Sequence, residues 1–176
     1  MGETMTSEST RDRLLDAAER RVRIAGYNGF SFRDLAANIG IKSASVHHHF
    51  PTKEDLVTTL AARYRERFLS DLAKTPPGPH RIGALRDRFR AAIAQDGGMC
   101  LCGMLGAESR GLPERVIQET TAYFRALEAY LTEGGGPAGA PNADGALAII
   151  ATLEGALILS RSLDDLTVFD RATAQL

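Results

Sequence analysis

The chain has 176 residues, 44% hydrophobic and 24% charged, which is ordinary for a soluble globular protein and enough for one substantial core or a small domain beside a larger one. Two cysteines exclude a disulfide framework. The net charge of −1 hides an asymmetry: residues 9–53 carry eight Lys+Arg against four Asp+Glu, a net of +4, whereas residues 75–176 carry nine against twelve, a net of −3. A basic module on a mildly acidic body suits a local phosphate footprint.

Residues 1–8 are expected to form a ragged terminus. Residues 1–12 lack the apolar core of a leader peptide. A first helix is expected over 9–25, burying Leu14, Leu15, Ala18 and Val22 and stopping at Gly26. Ser31 caps the next helix, and Asp34 three positions later completes a capping box. Leu35, Ala36 and Ile39 share its inner face, and Gly40 closes it with a left-handed residue. Ile41 plugs the turn. Residues 43–49 make about two helical turns with Val46 and Phe50 inward, and Ser43, Ser45, His47 and His48 outward. Two short helices around a glycine turn, the second with a polar outer face, describe a helix-turn-helix.

The chemistry of that outer face fits DNA. Arg33 can reach a phosphate or a base edge, and Lys42, Ser43 and Ser45 cluster at the end that enters the major groove in this motif. Ala44 suits a thymine methyl. Lys53, with the free N–H groups of the next helix start, favours phosphate. Successive side chains on a helix point about 100° apart, so His47, His48 and His49 do not converge on a metal, and none is expected.

The stretch from Leu14 to Leu56 resembles the DNA-binding domain of the TetR family of bacterial transcription regulators. The matching pieces are LeuLeuAspAlaAla at 14–18, GlyTyr at 26–27, PheArgAspLeuAla at 32–36 and HisHisPheProThrLysGluAspLeu at 48–56. Arg21, Val22 and His47 depart from the family pattern. The resemblance implies an all-helical homodimer that uses its last two helices.

A longer helix capped by Thr52 with Asp55 should run to about Ala73, carrying Leu56, Leu60, Tyr64, Phe68 and Leu72 in one stripe. ThrProProGlyPro at 75–79 ends it and marks a boundary. Beyond it Ile82, Leu85, Phe89 and Ile93 give a fifth helix, broken by AspGlyGly at 96–98. A short helix over 100–109 follows, then one with Pro113 as its first residue running to about Thr132. Residues 134–141 read as a flexible connection. Asn142 caps a helix through Ser160, and a last helix fits 164–174. The fold class is all-α. An N-terminal three-helix helix-turn-helix domain (9–53) is joined by the long fourth helix (52–73) to a C-terminal ligand-binding and dimerisation domain (75–176).

The run from Ala146 to Leu159 is apolar nearly all round, reads as too short to span a bilayer and holds Glu154. Localisation is therefore expected to be cytoplasmic, away from membranes. A helix of this kind is either the centre of a monomeric bundle or a dimer seam through Ala148, Ala151, Gly155, Ala156 and Leu159, the second being preferred.

The body shows no paired acid, base and nucleophile, so no enzyme and no cofactor are expected. Residues 97–108 resemble a cysteine-bearing stretch that opens the sixth helix beside the inducer pocket in a subset of the family. At a helix N-terminus, Cys100 and Cys102 would have lowered thiol pKa values and could sense electrophiles or oxidants; the alternative is that both are small buried hydrophobes. Leu85, Phe89, Met99, Cys100, Cys102, Met104, Tyr123, Phe124 and Leu127 read by spacing as core; the family resemblance implies that some of them surround a small, largely apolar effector. The function these features imply is a ligand-responsive repressor that binds a palindromic operator as a dimer. A thiol-sensing regulator is the alternative, and a helical enzyme or protein adaptor stands in a different class.

Overall fold

A computed structural model describes residues 9–96, 98–133 and 141–176. Among them are nine α-helices, two single 3₁₀ turns and no strand. Helix α1 spans Thr10–Ala25, α2 Phe32–Ile39, α3 Ser43–His49, α4 Lys53–Leu72, α5 His80–Asp96, α6 Leu101–Ala107, α7 Glu114–Thr132, α8 Ala143–Leu163 and α9 Leu166–Ala172. The expectations for residues 1–8 and 134–140 lie outside the described residues.

The local rules that start and stop helices operate where the side chains allow. Ser9 caps α1, and both Ser31 and Thr52 form full capping boxes, with Asp34 and Asp55 answering three residues on. Gly40 sits at φ 73° and ψ 36°, the left-handed stop that a side chain would strain. Pro113 is the cap residue before α7 rather than its first helical residue. The last helix is shorter than the sequence pattern implies, because Asp164 takes a left-handed conformation and Asp165 caps a new start at Leu166.

Helix α4 runs between head and body. Its stripe, Leu56, Leu60, Tyr64, Phe68 and Leu72, is buried along its whole length. Arg63 pairs with Asp16, and Arg67 donates to Glu19 at 2.6 Å, fastening α4 to α1. On the other side Arg65 meets Glu119 of α7 at 3.2 Å. In the body, Phe68 sits edge-on to Phe89 and Tyr123, with centroids 5.7 and 5.4 Å away. Such aromatic contacts add to a large buried apolar area.

Helix α8 packs on α9, α7 and α5. At 21 residues it extends beyond the apolar run 146–159, and with an 18-residue stretch of mean hydropathy 1.6 it is long and apolar enough, by length and composition alone, to cross a membrane, a test that the core helix of a soluble protein also passes. One side of it is core: Ala146, Ile150, Leu153, Ala156 and Leu157 are buried. Ala156 therefore belongs to the chain's own interior and not to a dimer seam. Ala148, Ala151 and Leu159 are exposed, and a Cβ at Gly155 would meet nothing within 4 Å.

Phe68→Ala empties the centre of the aromatic cluster and is expected to cost about 3–5 kcal/mol, read as a lower urea midpoint at fixed protein concentration. A loss under about 1 kcal/mol would mean that the cluster is not close-packed.

Candidate functional site

The reading surface begins with the α2–α3 turn. Ser31 N–H donates to Asp34 Oδ2 at 2.8 Å, and Asp34 N–H returns to Ser31 Oγ at 3.3 Å. The hydrogen bonds from Ser31 hold the Asp34 carboxyl below its ordinary value. Ile41 N–H donates to Ala36 O at 3.0 Å across the turn, and its side chain is partly buried against the core. Val46 and Phe50 anchor α3 from beneath, at 0% and 2% exposure.

The opposite flank of α3 presents Lys42, Ala44, His47 and His48 to solvent, with Ser43 and Ser45 half-buried and Arg33 exposed on α2. His47 is held in place: its ring meets Phe32 edge-on at 4.9 Å, and Nδ1 lies 3.3 Å from Pro51 O. Arg11 joins the neighbourhood by stacking over the Phe50 ring at 5.0 Å, a placement no motif announced. Lys53 is turned inward. Its ammonium donates to Phe30 O at 2.5 Å and lies 4.3 Å from the Phe30 ring centre and 4.8 Å from that of Tyr27. Burial pulls it below the usual lysine value, opposed in part by Glu108 and Asp34.

The head is tied to the body at the end of α1. Arg23, only 7% exposed, donates through Nε to Met99 O at 2.8 Å and through Nη2 to Ala92 O and Gly98 O at 2.9 and 3.1 Å. Met99 N–H returns to Arg23 O at 3.2 Å. Arg161 of α8 donates to the carbonyls of Arg23 and Ile24 at 3.1 and 2.6 Å. Tyr27 N–H donates to Glu108 Oε2 at 3.0 Å. Gly26 makes room for that carboxylate: at φ 73°, any Cβ there would lie 1.6 Å from Glu108 Oε1.

The body holds a largely apolar cavity of about 440 Å³ beside α6, α7 and α8, with Met99, Met104, Ile117, Phe124, Glu154 and Ile158 in its wall. Of the expected pocket residues, Met99, Met104 and Phe124 do line it. Leu85, Phe89, Cys100, Cys102, Tyr123 and Leu127 do not: each is at most 1% exposed and packed in the core, where the aromatic cluster fills the space. A second, polar cavity of about 310 Å³ lies near Asp16, Glu19, Arg23 and Arg67, which are already paired with one another or with backbone.

Cys100 does cap α6, receiving the Gly103 N–H at 3.4 Å, and of the two readings of the cysteines the structure agrees with the buried one. Burial, with the Glu154 carboxylate adding to it, pushes the Cys100 thiol well above its ordinary value, and burial does the same to Cys102. The Cys100 thiol donates to Tyr123 Oη at 3.6 Å and receives the Tyr64 hydroxyl at 3.9 Å. Desolvation outweighs the helix terminus here. Glu154 itself escaped the sequence reading as a site residue; its only signal was a carboxylate inside an apolar run.

A helix-turn-helix head clamped to an all-helical, cavity-bearing body defines a class: the DNA-binding transcription regulators. Residues 14–60 match the family model described as bacterial regulatory proteins, tetR family. A TetR-family transcriptional regulator from Agrobacterium tumefaciens is 32% identical, with 94% of each chain covered and a TM-score of 0.84. A TetR regulator from Legionella pneumophila is 28% identical, covering 97% of this chain and 96% of that one, TM-score 0.81. One from Chloroflexus aurantiacus is 27% identical, covering 94% and 90%, TM-score 0.76. An uncharacterized HTH-type transcriptional regulator in the dhlA 5' region of Xanthobacter autotrophicus is 27% identical over 73 residues, 42% of this chain and 36% of that protein's length. The chain belongs to the TetR family of bacterial transcription regulators and is a DNA-binding regulator.

Burial pushes the Glu154 carboxyl from 4.5 to about 7. Between those values the folded chain keeps a proton that the unfolded chain has released, so stability falls as pH rises through the window, by on the order of 3 kcal/mol in total. Glu154→Gln is expected to remove that slope and to be at least as stable above neutral pH, measured by urea unfolding across the window. A variant with the wild-type pH profile would show that this carboxyl titrates normally.

Proposed function

We propose that the chain is an effector-responsive repressor that grips a two-fold symmetric operator as a homodimer. The observation that carries this reading is the exposed flank of α3, with Lys42, Ala44, Ser45, His47 and His48 beside Arg33, on a head bolted to a cavity-bearing body. Arg33 and Lys42 supply phosphate contacts, with Ser43 beside them. Ala44, Ser45, His47 and His48 face base edges. Lys53 contributes by holding the start of α4 to Phe30 rather than by reaching the duplex with its ammonium.

Pairing is supported by α8. It leaves Leu147, Ile158, Leu159 and Leu163 between 48% and 63% exposed, beside the small residues Ala148, Ala151 and Gly155. Large apolar side chains gathered on one exposed helix face mark an interaction surface, and a two-fold mate covers them with the same face. The pair then offers two α3 helices to half-sites about one helical turn or more apart. A small, mostly apolar effector in the body's cavity presses on Met99, and Arg23 and Glu108 carry the shift to α1 and the turn after it. Acting on chromosomal DNA places the protein in the cytoplasm, without cofactor or enzymatic turnover. The thiol-sensing alternative is disfavoured by the buried, protonated cysteines.

Selection of bound fragments from genomic DNA tests the reading: a recovered inverted repeat is expected, and no enrichment at low salt would contradict it. On the selected duplex, Arg33→Ala should weaken binding across sequences and lower the salt slope by about 1. Ser45→Ala and His47→Ala should instead change preference at particular base pairs, by about 1–3 kcal/mol each. Full affinity and unchanged preference in all three variants would place the DNA surface elsewhere.

A further inference from the structure

The cavity in the body has one chemical peculiarity. Of the side chains that line it, only Glu154 is ionisable, amid Met99, Met104, Ile117, Phe124 and Ile158. Its Oε1 is shut away from solvent and receives no hydrogen bond of normal geometry, although the Cys100 thiol lies beside the carboxyl and acts on it. A carboxylate left so is expensive, and proteins normally answer one with a cation or several donors. That thiol donates instead to Tyr123 Oη at 3.6 Å, and the other polar groups nearby have partners of their own. Arg65 of α4 donates to Glu119, Arg23 to backbone carbonyls and the Thr120 hydroxyl to Val116 O at 2.9 Å. The carboxylate is nonetheless deliberately housed. A Cβ at Gly103 would lie 2.3 Å from Glu154 Oε2, so the bare glycine of α6 is what gives the group its seat.

We propose that this cavity takes a small apolar molecule bearing one protonated amine, whose ammonium pairs with Glu154 while its hydrocarbon part fills the space along Met104, Ile117 and Phe124. The assignment rests on reading the chain as an effector-responsive regulator and names that effector's chemistry. An acid or a phosphate would set like charge against Glu154 in a low-dielectric site. A pure hydrocarbon would leave Oε1 unanswered. A neutral alcohol can donate one hydrogen bond, but an ammonium donates a charge-assisted one, roughly twice as strong. The amine nitrogen also provides several donors in one compact head, matching an unfilled carboxylate oxygen.

The test is calorimetric titration of the purified full-length chain, without DNA, at neutral pH, with n-octylamine, n-octanol and octanoate. The amine is expected to bind about tenfold or more tighter than the alcohol, and octanoate weakest. Glu154→Gln should abolish the amine's advantage while leaving octanol within about threefold of its wild-type affinity, which also reports an intact cavity. Thr121→Lys, at an exposed position in the cavity wall, is the second variant; its cation should answer Glu154 and weaken the amine about fivefold or more. Equal affinity for amine and alcohol, no amine binding, or amine affinity unchanged in both variants would overturn the proposal. Because no operator enters these titrations, such a result leaves the DNA-binding reading to its own experiment.

Discussion

The last turn of α1 carries a guanidinium almost wholly removed from water, and the arrangement of the molecule follows from how that charge is satisfied. Arg23 spends its donors on carbonyls of Ala92, Gly98 and Met99. A buried arginine is tolerable only when its fork is met by acceptors in fixed places, so α1, the end of α5 and the approach to α6 are held in one geometry. The return bond from Met99 N–H, and the grip of Arg161 on the carbonyls of Arg23 and Ile24, close the joint from both sides. Head and body thus share directional bonds to backbone carbonyls as well as one continuous apolar core.

That joint gives the DNA-reading face and the cavity a common element. Met99 is at once an acceptor for Arg23 and part of the cavity wall. Glu108, at the end of α6, holds the Tyr27 N–H, and its charge is felt by Lys53 at the start of α4. In the effector-responsive regulator proposed above, a ligand displacing Met99 or α6 by a fraction of an ångström would work against directional bonds that end in the head. Coupling of about 1–3 kcal/mol would change operator occupancy some 5- to 150-fold, a range that the loss of one or two such bonds can supply. Helix α4, fastened by Arg63 and Arg67 to α1 and by Arg65 to α7, is the second path by which the two ends remain in register.

The head was readable in the sequence because its structure is set by local rules. Capping boxes at Ser31 and Thr52, the glycine stop at Gly40 and the four-residue stripe of α4 each depend on residues within a few positions of one another. The cavity was not readable, for a physical reason. Leu85, Phe89, Tyr123 and Leu127 show the same apolar periodicity whether they line a void or fill it, and here they fill it. Where a gap remains depends on how α6, α7 and α8 splay, a long-range property. Cys100 was placed correctly at a helix start, but its thiol responds more to burial than to that terminus. Ala156 shares small size with Ala148 and Ala151 yet turns to the opposite side of α8. Arg23 is one cation among several in a basic helix and Glu154 an interruption of an apolar one; what surrounds each comes from elements far away in sequence.

Amide hydrogen exchange at Tyr27 and Met99 tests the joint most directly, since each donates its N–H across the boundary between head and body. In the wild-type chain both amides should be protected, and in an Arg23→Met variant both should exchange much faster while the buried turns of α8 stay as slow as before. Protection at Tyr27 and Met99 that survives the loss of the guanidinium would mean that Arg23 does not hold the two halves together.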